Sequence, residues 1–241
     1  MENDINEPFL HYKDEEDQQD DIEIKQKIRE GFISKVYGII AYQIIITSIV
    51  VYFGLVNSSF QELLLSSISL YYICFFISLL CILLPICIPM IYQKVPMNYI
   101  ILTIFTLSYS WMIAAVTCRY TISSVMLALF LTFITVVTLS IYAWKTKDDF
   151  TVVGGTLSVC LVLLIFISIF YLFLPLDLFY IILVYGSLVL FSIYLIYDTQ
   201  LLIGKGKVKF SEDDYILAAI NIYLDVIILF LKILQIFGEK K

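Results

Sequence analysis

The sequence predicts an all-α membrane protein, a bundle of seven transmembrane helices. Of the 241 residues, 61% are hydrophobic and only 15% are charged, whereas a soluble domain has about 45–50% apolar and about 25% charged residues. A soluble globule of this composition could not cover its surface with polar side chains. Long apolar runs without polar alternation, such as 100–105 and 159–170, favour helices over the strands of a β-barrel.

Seven apolar stretches are long enough to cross a bilayer, which takes about 20 helical residues. They are residues 33–55, 69–92, 98–117, 122–143, 152–174, 179–203 and 215–237. Residues that interrupt helices, such as Pro96, Pro175 and Gly204, separate them. Pro85 and Pro89 lie inside the second stretch and predict a kink or an unwound section there. The seventh stretch could cross completely or insert and return, and the sequence leaves this open.

Residues 1–31 are predicted to form an acidic, disordered, cytosolic tail ahead of a membrane domain over 32–241. Residues 1–30 hold eleven acidic and four basic side chains, so they carry a net charge of −7 and the rest of the chain +1. No apolar periodicity is visible in them. Such a tail should not bind nucleic acid, because phosphates attract basic side chains. No cleavable signal peptide is expected before the first span.

Basic residues predict a cytosolic N-terminus, because loops on the cytosolic side of a membrane are enriched in Lys and Arg. Ten of them flank the spans on the side of the N-terminal tail, whereas Arg119 alone lies in the loops of the other side. Lys240 and Lys241 would join Arg119 if the seventh stretch crosses. Asn57 begins a glycosylation sequon on that side, but its closeness to the first span favours an ordinary turn.

The residue types exclude a histidine-ligated zinc centre in the membrane and indicate no cofactor. The one histidine, His11, lies in the acidic tail. The five cysteines lie in or beside apolar runs and form no Cys-x-x-Cys pair. They are predicted to be reduced, buried side chains.

Two acidic residues, Asp198 and Asp225, lie inside the sixth and seventh stretches. An ionised Asp near a helix centre costs about 2.5–3.5 kcal/mol on insertion scales, so both should face the bundle interior. The two stretches form an antiparallel hairpin around residues 204–214, and the two aspartates are about equally far from its turn. At about 1.5 Å of rise per residue they reach similar depths. We therefore expect the two carboxyl groups to meet.

Two ionised carboxylates about 4 Å apart repel by about 4 kcal/mol at an effective dielectric constant near 20. Such a pair is expected to share one proton, which makes it a candidate pH sensor and gate. After deprotonation its oxygens suit transient binding of Ca²⁺. The sequence does not fix the sign of the response. Supporting polar residues on the same helical faces are Ser187 and Tyr194 in the sixth stretch and Asn221 and Lys232 in the seventh.

Several separated motifs resemble those of the transmembrane Bax inhibitor motif family, lifeguard branch. The C-terminal ones are YDTQLLIG at 197–204, DYILAA at 214–219 and YLDVIILF at 223–230. Upstream ones are FISKVY at 32–37, KVPMN at 94–98 and TKDDFT at 146–151. They occur in the order that the family shows and cover nearly the whole membrane domain.

The resemblance implies a seven-helix bundle that leaks Ca²⁺ across the endoplasmic reticulum, the Golgi or another endomembrane and modulates cell death, in part by lowering stored calcium. It also implies a di-aspartate pH sensor, onto which Asp198 and Asp225 map. Expected partners are the lipid bilayer, calcium as the permeant ion, and cell-death regulators or other calcium channels. The family commonly has an Arg cluster at the end of its second span. Here only Lys94 remains, which could substitute as a point charge.

Three other functions are compatible with the same membrane spans and buried aspartates. The carboxylates could serve a proton-coupled transporter, or the protein could be a membrane adaptor that binds channels or cell-death regulators. An intramembrane aspartyl protease also needs two aspartates on adjacent helices, but its second motif is Gly-x-Gly-Asp. This chain has Tyr223-Leu224-Asp225 there, so we expect no enzyme.

Overall fold

The computed structural model describes residues 7–241, with side chains from residue 22 onward except those of residues 86 and 89. The described part is helical and contains no named strand. Its α-helices are α1 (Glu7–Val56), α2 (Ser58–Ser66), α3 (Ile68–Cys87), α4 (Met97–Thr117), α5 (Ile122–Lys145), α6 (Gly154–Phe173), α7 (Asp177–Ile181), α8 (Ser187–Ile203) and α9 (Tyr215–Phe237). A π-helical turn, Ile182–Gly186, joins α7 to α8 in one span.

Seven helical segments are long and apolar enough to cross a membrane, so the predicted polytopic helical bundle is confirmed. Their bounds agree with the predicted stretches within a few residues, apart from the first two. The second span ends at Pro85, and a 3-10 helix, Pro89–Tyr92, follows α3. The chain is therefore interrupted where the two prolines predicted it, because proline removes a backbone donor and clashes with the preceding turn.

The N-terminal segment differs from the prediction of disorder as far as residue 31. Residues 7–31 belong to α1, whereas residues 1–6 lie outside the described part of the chain. Glu, Gln and Lys are good helix formers even without an apolar face. Pairs one turn apart support the helix further, as for Lys27 Nζ, which lies 3.9 Å from Glu23.

Helix α9 lies at the centre of the bundle and packs against α1, α4, α5 and α8. Its core-facing side chains include Ile216, Leu229 and Leu234, none of which is exposed. Helix α6 lies at the periphery and packs mainly on α8. Its exposed side chains are mostly large and apolar, such as Phe166 and Leu172, as expected for a helix that faces lipid.

One end of the bundle, called here the basic end, contains residues 22–31 of α1 and the loops 88–96, 146–153 and 204–214. These parts contact each other directly. Gln93 Nε2 donates to Asp214 at 3.0 Å, and Lys205 Nζ donates to the carbonyl of Thr146. The basic residues that predicted the orientation therefore gather at one end. Its placement in the cytosol stays a prediction.

At the opposite end the C-terminus joins the α4–α5 loop. Thr121 N donates to the Glu239 carbonyl at 3.0 Å, and Lys241 N donates to the Arg119 carbonyl at 2.9 Å. Helix α9 therefore runs the length of the bundle and does not return, which answers the question that the sequence left open. Asn57, also at this end, caps α2, because its Oδ1 accepts from Phe60 N at 3.0 Å.

Candidate functional site

Asp198 on α8 and Asp225 on α9 lie side by side inside the bundle. Their carboxyl groups are within hydrogen-bonding reach of each other, and the two residues are 4% and 3% exposed. This is the juxtaposition that the hairpin geometry predicts. Because a carboxylate can only accept hydrogen bonds, a bond between the two groups requires that one of them carries a proton.

The pair has no cationic partner among the side chains that the structure describes. The ion pairs there are Lys27–Glu23 and Arg29–Glu212, and neither touches the aspartates. Asp225 Oδ2 is buried and accepts no hydrogen bond within that set. Two uncompensated negative charges in such a place are strongly unfavourable. The arrangement therefore suits a pair that holds a proton.

Helix α8 is held in register by Gln200, half a turn beyond Asp198. The side chain of Gln200 is 1% exposed. Its Oε1 accepts from Phe150 N at 2.8 Å, and its Nε2 donates to the Asp148 carbonyl at 2.9 Å. These bonds fasten the end of α8 to the α5–α6 loop, so the position of Asp198 depends on that loop.

Asp149 ties the same loop to the α8–α9 loop. Its Oδ1 accepts from both the hydroxyl and the N–H of Thr151, and its Oδ2 accepts from Lys207 N at 3.1 Å. These hydrogen bonds, that of the Thr151 hydroxyl first, hold the pKa of Asp149 below its ordinary value of 3.8. The charged form of Asp149 therefore stabilises the contact between the two loops.

Two of the predicted supporting residues lie near the pair. Tyr194 lies one turn before Asp198, on the same face of α8. Asn221 is half-buried, one turn before Asp225 and on the same face of α9.

The other three supporting residues lie away from the pair. The hydroxyl of Ser187 bonds back to the Leu183 carbonyl, about 16 Å along α8 from Asp198. Lys232 is half-buried, about 10 Å along α9 from Asp225. Lys94 is exposed in the loop before α4 and forms no ion pair with the described side chains. Ser187 and Lys232 share a helical face with the aspartates but lie at other depths. Lys94 was expected from the resemblance to the family's Arg cluster, and it lies outside the helices that carry the pair.

A second polar cluster, which was not predicted from the sequence, lies between α1, α4 and α9. Thr47 Oγ1 is 2.7 Å from Tyr223 OH and 2.8 Å from Ser110 Oγ. Gln43 Nε2 donates to Thr106 Oγ1 at 3.2 Å, and Gln43 Oε1 accepts no bond from the described side chains. The two pairs on α1 and α4 each have a spacing of four residues, a signal that could have indicated facing polar stripes. Helix α9 is thus polar on two sides, toward α1 and α4 and toward α8.

The two carboxylates alone are too few ligands for a resident Ca²⁺ ion. Within the described residues, no group of three or more His, Cys, Asp or Glu side chains could hold a metal ion. Ca²⁺ takes six to eight oxygen ligands. Asp198 and Asp225 offer four carboxylate oxygens, so water or backbone oxygens would have to complete the shell.

The fold and the buried carboxyl pair define a polytopic α-helical membrane protein with ionisable residues in its interior. The sequence model of the family described as "Inhibitor of apoptosis-promoting Bax1" matches residues 29–241, and the chain belongs to this Bax inhibitor family. The resemblance that the motifs indicated is therefore confirmed.

Similar proteins occur in animals and plants. The chain is 29% identical over 219 residues to Protein lifeguard 3 of Homo sapiens, which covers 89% of this chain and 70% of that protein. It is 30% identical over 221 residues to Protein lifeguard 3 of Mus musculus, covering 89% and 71% of the two chains. It is 35% identical over 221 residues to the BI1-like protein of Arabidopsis thaliana, covering 89% and 83%.

Proposed function

We propose that the protein is a pH-sensitive calcium leak channel, gated by Asp198 and Asp225. The observation that carries the proposal is the contact between two buried carboxyl groups without a cationic partner among the described side chains. Ionisable residues inside a membrane bundle cost free energy, and those that are found there commonly mark a pathway or a switch. Proton loss from this pair is the switch in our proposal.

In this proposal calcium flux rises with pH, and the contact between the carboxyl groups supports that direction in two ways. While one proton is shared, α8 and α9 stay together and the carboxyl groups stay closed to solvent. After it leaves, two charges about 4 Å apart repel by about 4 kcal/mol at an effective dielectric constant near 20. Deprotonated oxygens are also the form that binds Ca²⁺. Both effects predict that calcium flux rises with pH.

A repulsion of this size is sufficient for gating. Each 1.4 kcal/mol changes an equilibrium constant tenfold, so about 4 kcal/mol changes it roughly 800-fold. A bundle closed in a ratio of 99:1 would then be open in a ratio of roughly 8:1. The loop 204–214 joins α8 to α9 at the basic end, so the helices can separate at the pair while their ends stay connected.

We place the channel in the endoplasmic reticulum, the Golgi or another endomembrane, with the N-terminus in the cytosol. In this proposal the leak lowers stored calcium and thereby modulates cell death, without enzymatic activity or a cofactor. The description of the family as inhibitors of apoptosis-promoting Bax supports the cellular role. Cell-death regulators or other calcium channels are proposed partners besides lipid and calcium.

The experiment is calcium flux into proteoliposomes that contain the purified protein alone, measured between pH 6 and pH 8. We expect wild-type flux to rise with pH, and Asp198→Asn and Asp225→Asn each to remove the pH dependence. Asp177→Asn is the matched control, because Asp177 lies on the same span as Asp198 but is exposed. Calcium flux that changes neither with pH nor with either substitution would exclude the proposal. If those variants still protect cells, the adaptor function would replace it.

A further inference from the structure

A cavity of about 260 Å³ opens at the basic end, between α1 and the α8–α9 loop. It is separate from the carboxyl pair. Its lining residues are Lys25, Ile28, Arg29, Ile203, Gly204, Lys209 and Glu212. Three cations and one acid therefore surround a space that is large enough for a phosphate group and a few further atoms.

Arg29 is the most enclosed cation of this cavity, with a side chain 12% exposed. Its Nη1 donates to the Phe210 carbonyl at 2.8 Å, and its Nη2 donates to the Leu201 carbonyl. Glu212 lies 3.8 Å from Nη1. The guanidinium is thus fixed in place by groups on the α8–α9 loop and on the last turn of α8.

The third nitrogen of this guanidinium, Arg29 Nε, is buried and donates to none of the described residues. It lies over Gly204, where a Cβ atom would be only 3.0 Å away. A buried N–H group without an acceptor is unfavourable. Because Nε is closed off from solvent in this structure, an anionic oxygen in the cavity would supply the acceptor after a shift of the guanidinium toward the cavity, and a guanidinium recognises phosphate oxygens especially well.

The remaining walls divide into a charged part and an apolar part. Lys25 and Lys209 are exposed at the rim, so the cavity has a net positive charge even with Glu212. Ile28, which is 52% exposed, and the half-buried Ile203 form the apolar part. Ile24, 55% exposed, continues the apolar surface along α1. A ligand that fits both parts carries a phosphate and an apolar chain.

We propose that this cavity binds the phosphate headgroup of an anionic phospholipid. Arg29 Nε donates to a phosphate oxygen, Lys25 and Lys209 neutralise the charge, and the acyl chains lie against Ile28. The location agrees with this ligand, because the cytosolic leaflet, which the basic end is predicted to face, carries the anionic lipids. The site is independent of the gate proposed above.

The test is the affinity of the purified full-length protein for phosphatidic acid, with phosphatidylcholine as the neutral lipid, by titration of fluorescent lipid into protein in detergent. We expect at least tenfold tighter binding of phosphatidic acid. Lys25→Gln with Lys209→Gln should weaken it roughly 25-fold, because each lysine near an anionic headgroup contributes about fivefold. Lys27→Gln with Lys147→Gln is the matched control.

That control removes the same charge from the same end but outside the cavity, and it should change the affinity less than twofold. Equal weakening by both double variants, or no preference for phosphatidic acid, would overturn the proposal. Arg29→Lys keeps the charge and lacks Nε, and its binding should fall while its unfolding midpoint reports any loss of folding. Inorganic phosphate and glycerol 3-phosphate are titrated as well, to distinguish a lipid headgroup from a free phosphate as the ligand. If they bind as tightly as phosphatidic acid, the ligand is free phosphate and the lipid proposal is wrong.

Discussion

Gly204 ends α8 in a left-handed backbone conformation (φ 74°, ψ 28°), and its replacement by alanine should destabilise the protein. An L-residue in this conformation costs about 1–2 kcal/mol. The added Cβ would also lie 3.0 Å from Arg29 Nε, so the guanidinium would have to shift. Loss of one of its charge-assisted bonds to a carbonyl costs about 1.5–3 kcal/mol more. We therefore expect Gly204→Ala to lower the free energy of unfolding by about 2.5–5 kcal/mol.

The assay is reversible unfolding in mixed micelles with increasing sodium dodecyl sulfate, followed by circular dichroism. Gly155→Ala is the matched control, because Gly155 lies in α6 and its added Cβ would meet nothing within 4 Å. It should stabilise the protein by up to about 1 kcal/mol. Gly204→Asn should lose less than alanine, because asparagine tolerates the left-handed conformation. If Gly204→Ala unfolds like the wild type, the contact with Arg29 does not restrain α8 and the reasoning is refuted.

Three further predictions concern other parts of the bundle. Tyr223→Phe removes a buried hydroxyl from the polar cluster and should lower the free energy of unfolding by about 0.5–1.5 kcal/mol, whereas Tyr185→Phe, at a position 52% exposed, should change it little. Because the pKa of Asp149 is lowered in the folded protein, its stabilisation is fully present above pH 3.8 and is lost as the pH falls further. Asp149→Asn should therefore reduce the acid sensitivity of unfolding, and an unchanged acid limb would contradict this. A tag after Lys241 and a tag in the loop 204–214 should be labelled by membrane-impermeant reagents from opposite sides of the membrane. Labelling of both tags from the same side would contradict the complete crossing of α9.

The spans and the carboxyl pair could be predicted from the sequence because each follows from one strong constraint. Bilayer thickness fixes the length of an apolar helix, and a short antiparallel hairpin fixes which residues share a depth. Asp198 and Asp225 are the charged residues to which both constraints apply. Tyr194 lies one turn from one of them and was therefore found as well.

The rest depends on packing that the sequence does not specify. Ser187 and Lys232 share a face with the aspartates, but periodicity says nothing about distance along the helix. The polar cluster was not predicted because its members, Gln43, Thr47 and Tyr223, are neutral. A neutral polar side chain costs little free energy in a membrane helix, so its presence there does not indicate that it needs a partner. The helical start of α1 lacked an apolar stripe, although its residue types favour a helix. The role of Arg29 follows from its hydrogen bonds to the carbonyls of Phe210 and Leu201, and these contacts are visible only in the folded structure.

The most direct test of the central claim is the infrared absorption of the protonated carboxyl group in the wild-type protein, followed against pH beside calcium flux from the same preparation. We predict that the band disappears as the pH rises, with the same midpoint as the rise in flux, and that Asp225→Asn removes this titrating component. A band that persists unchanged in Asp225→Asn, or a flux midpoint unrelated to its loss, would contradict a shared proton between α8 and α9 as the gate.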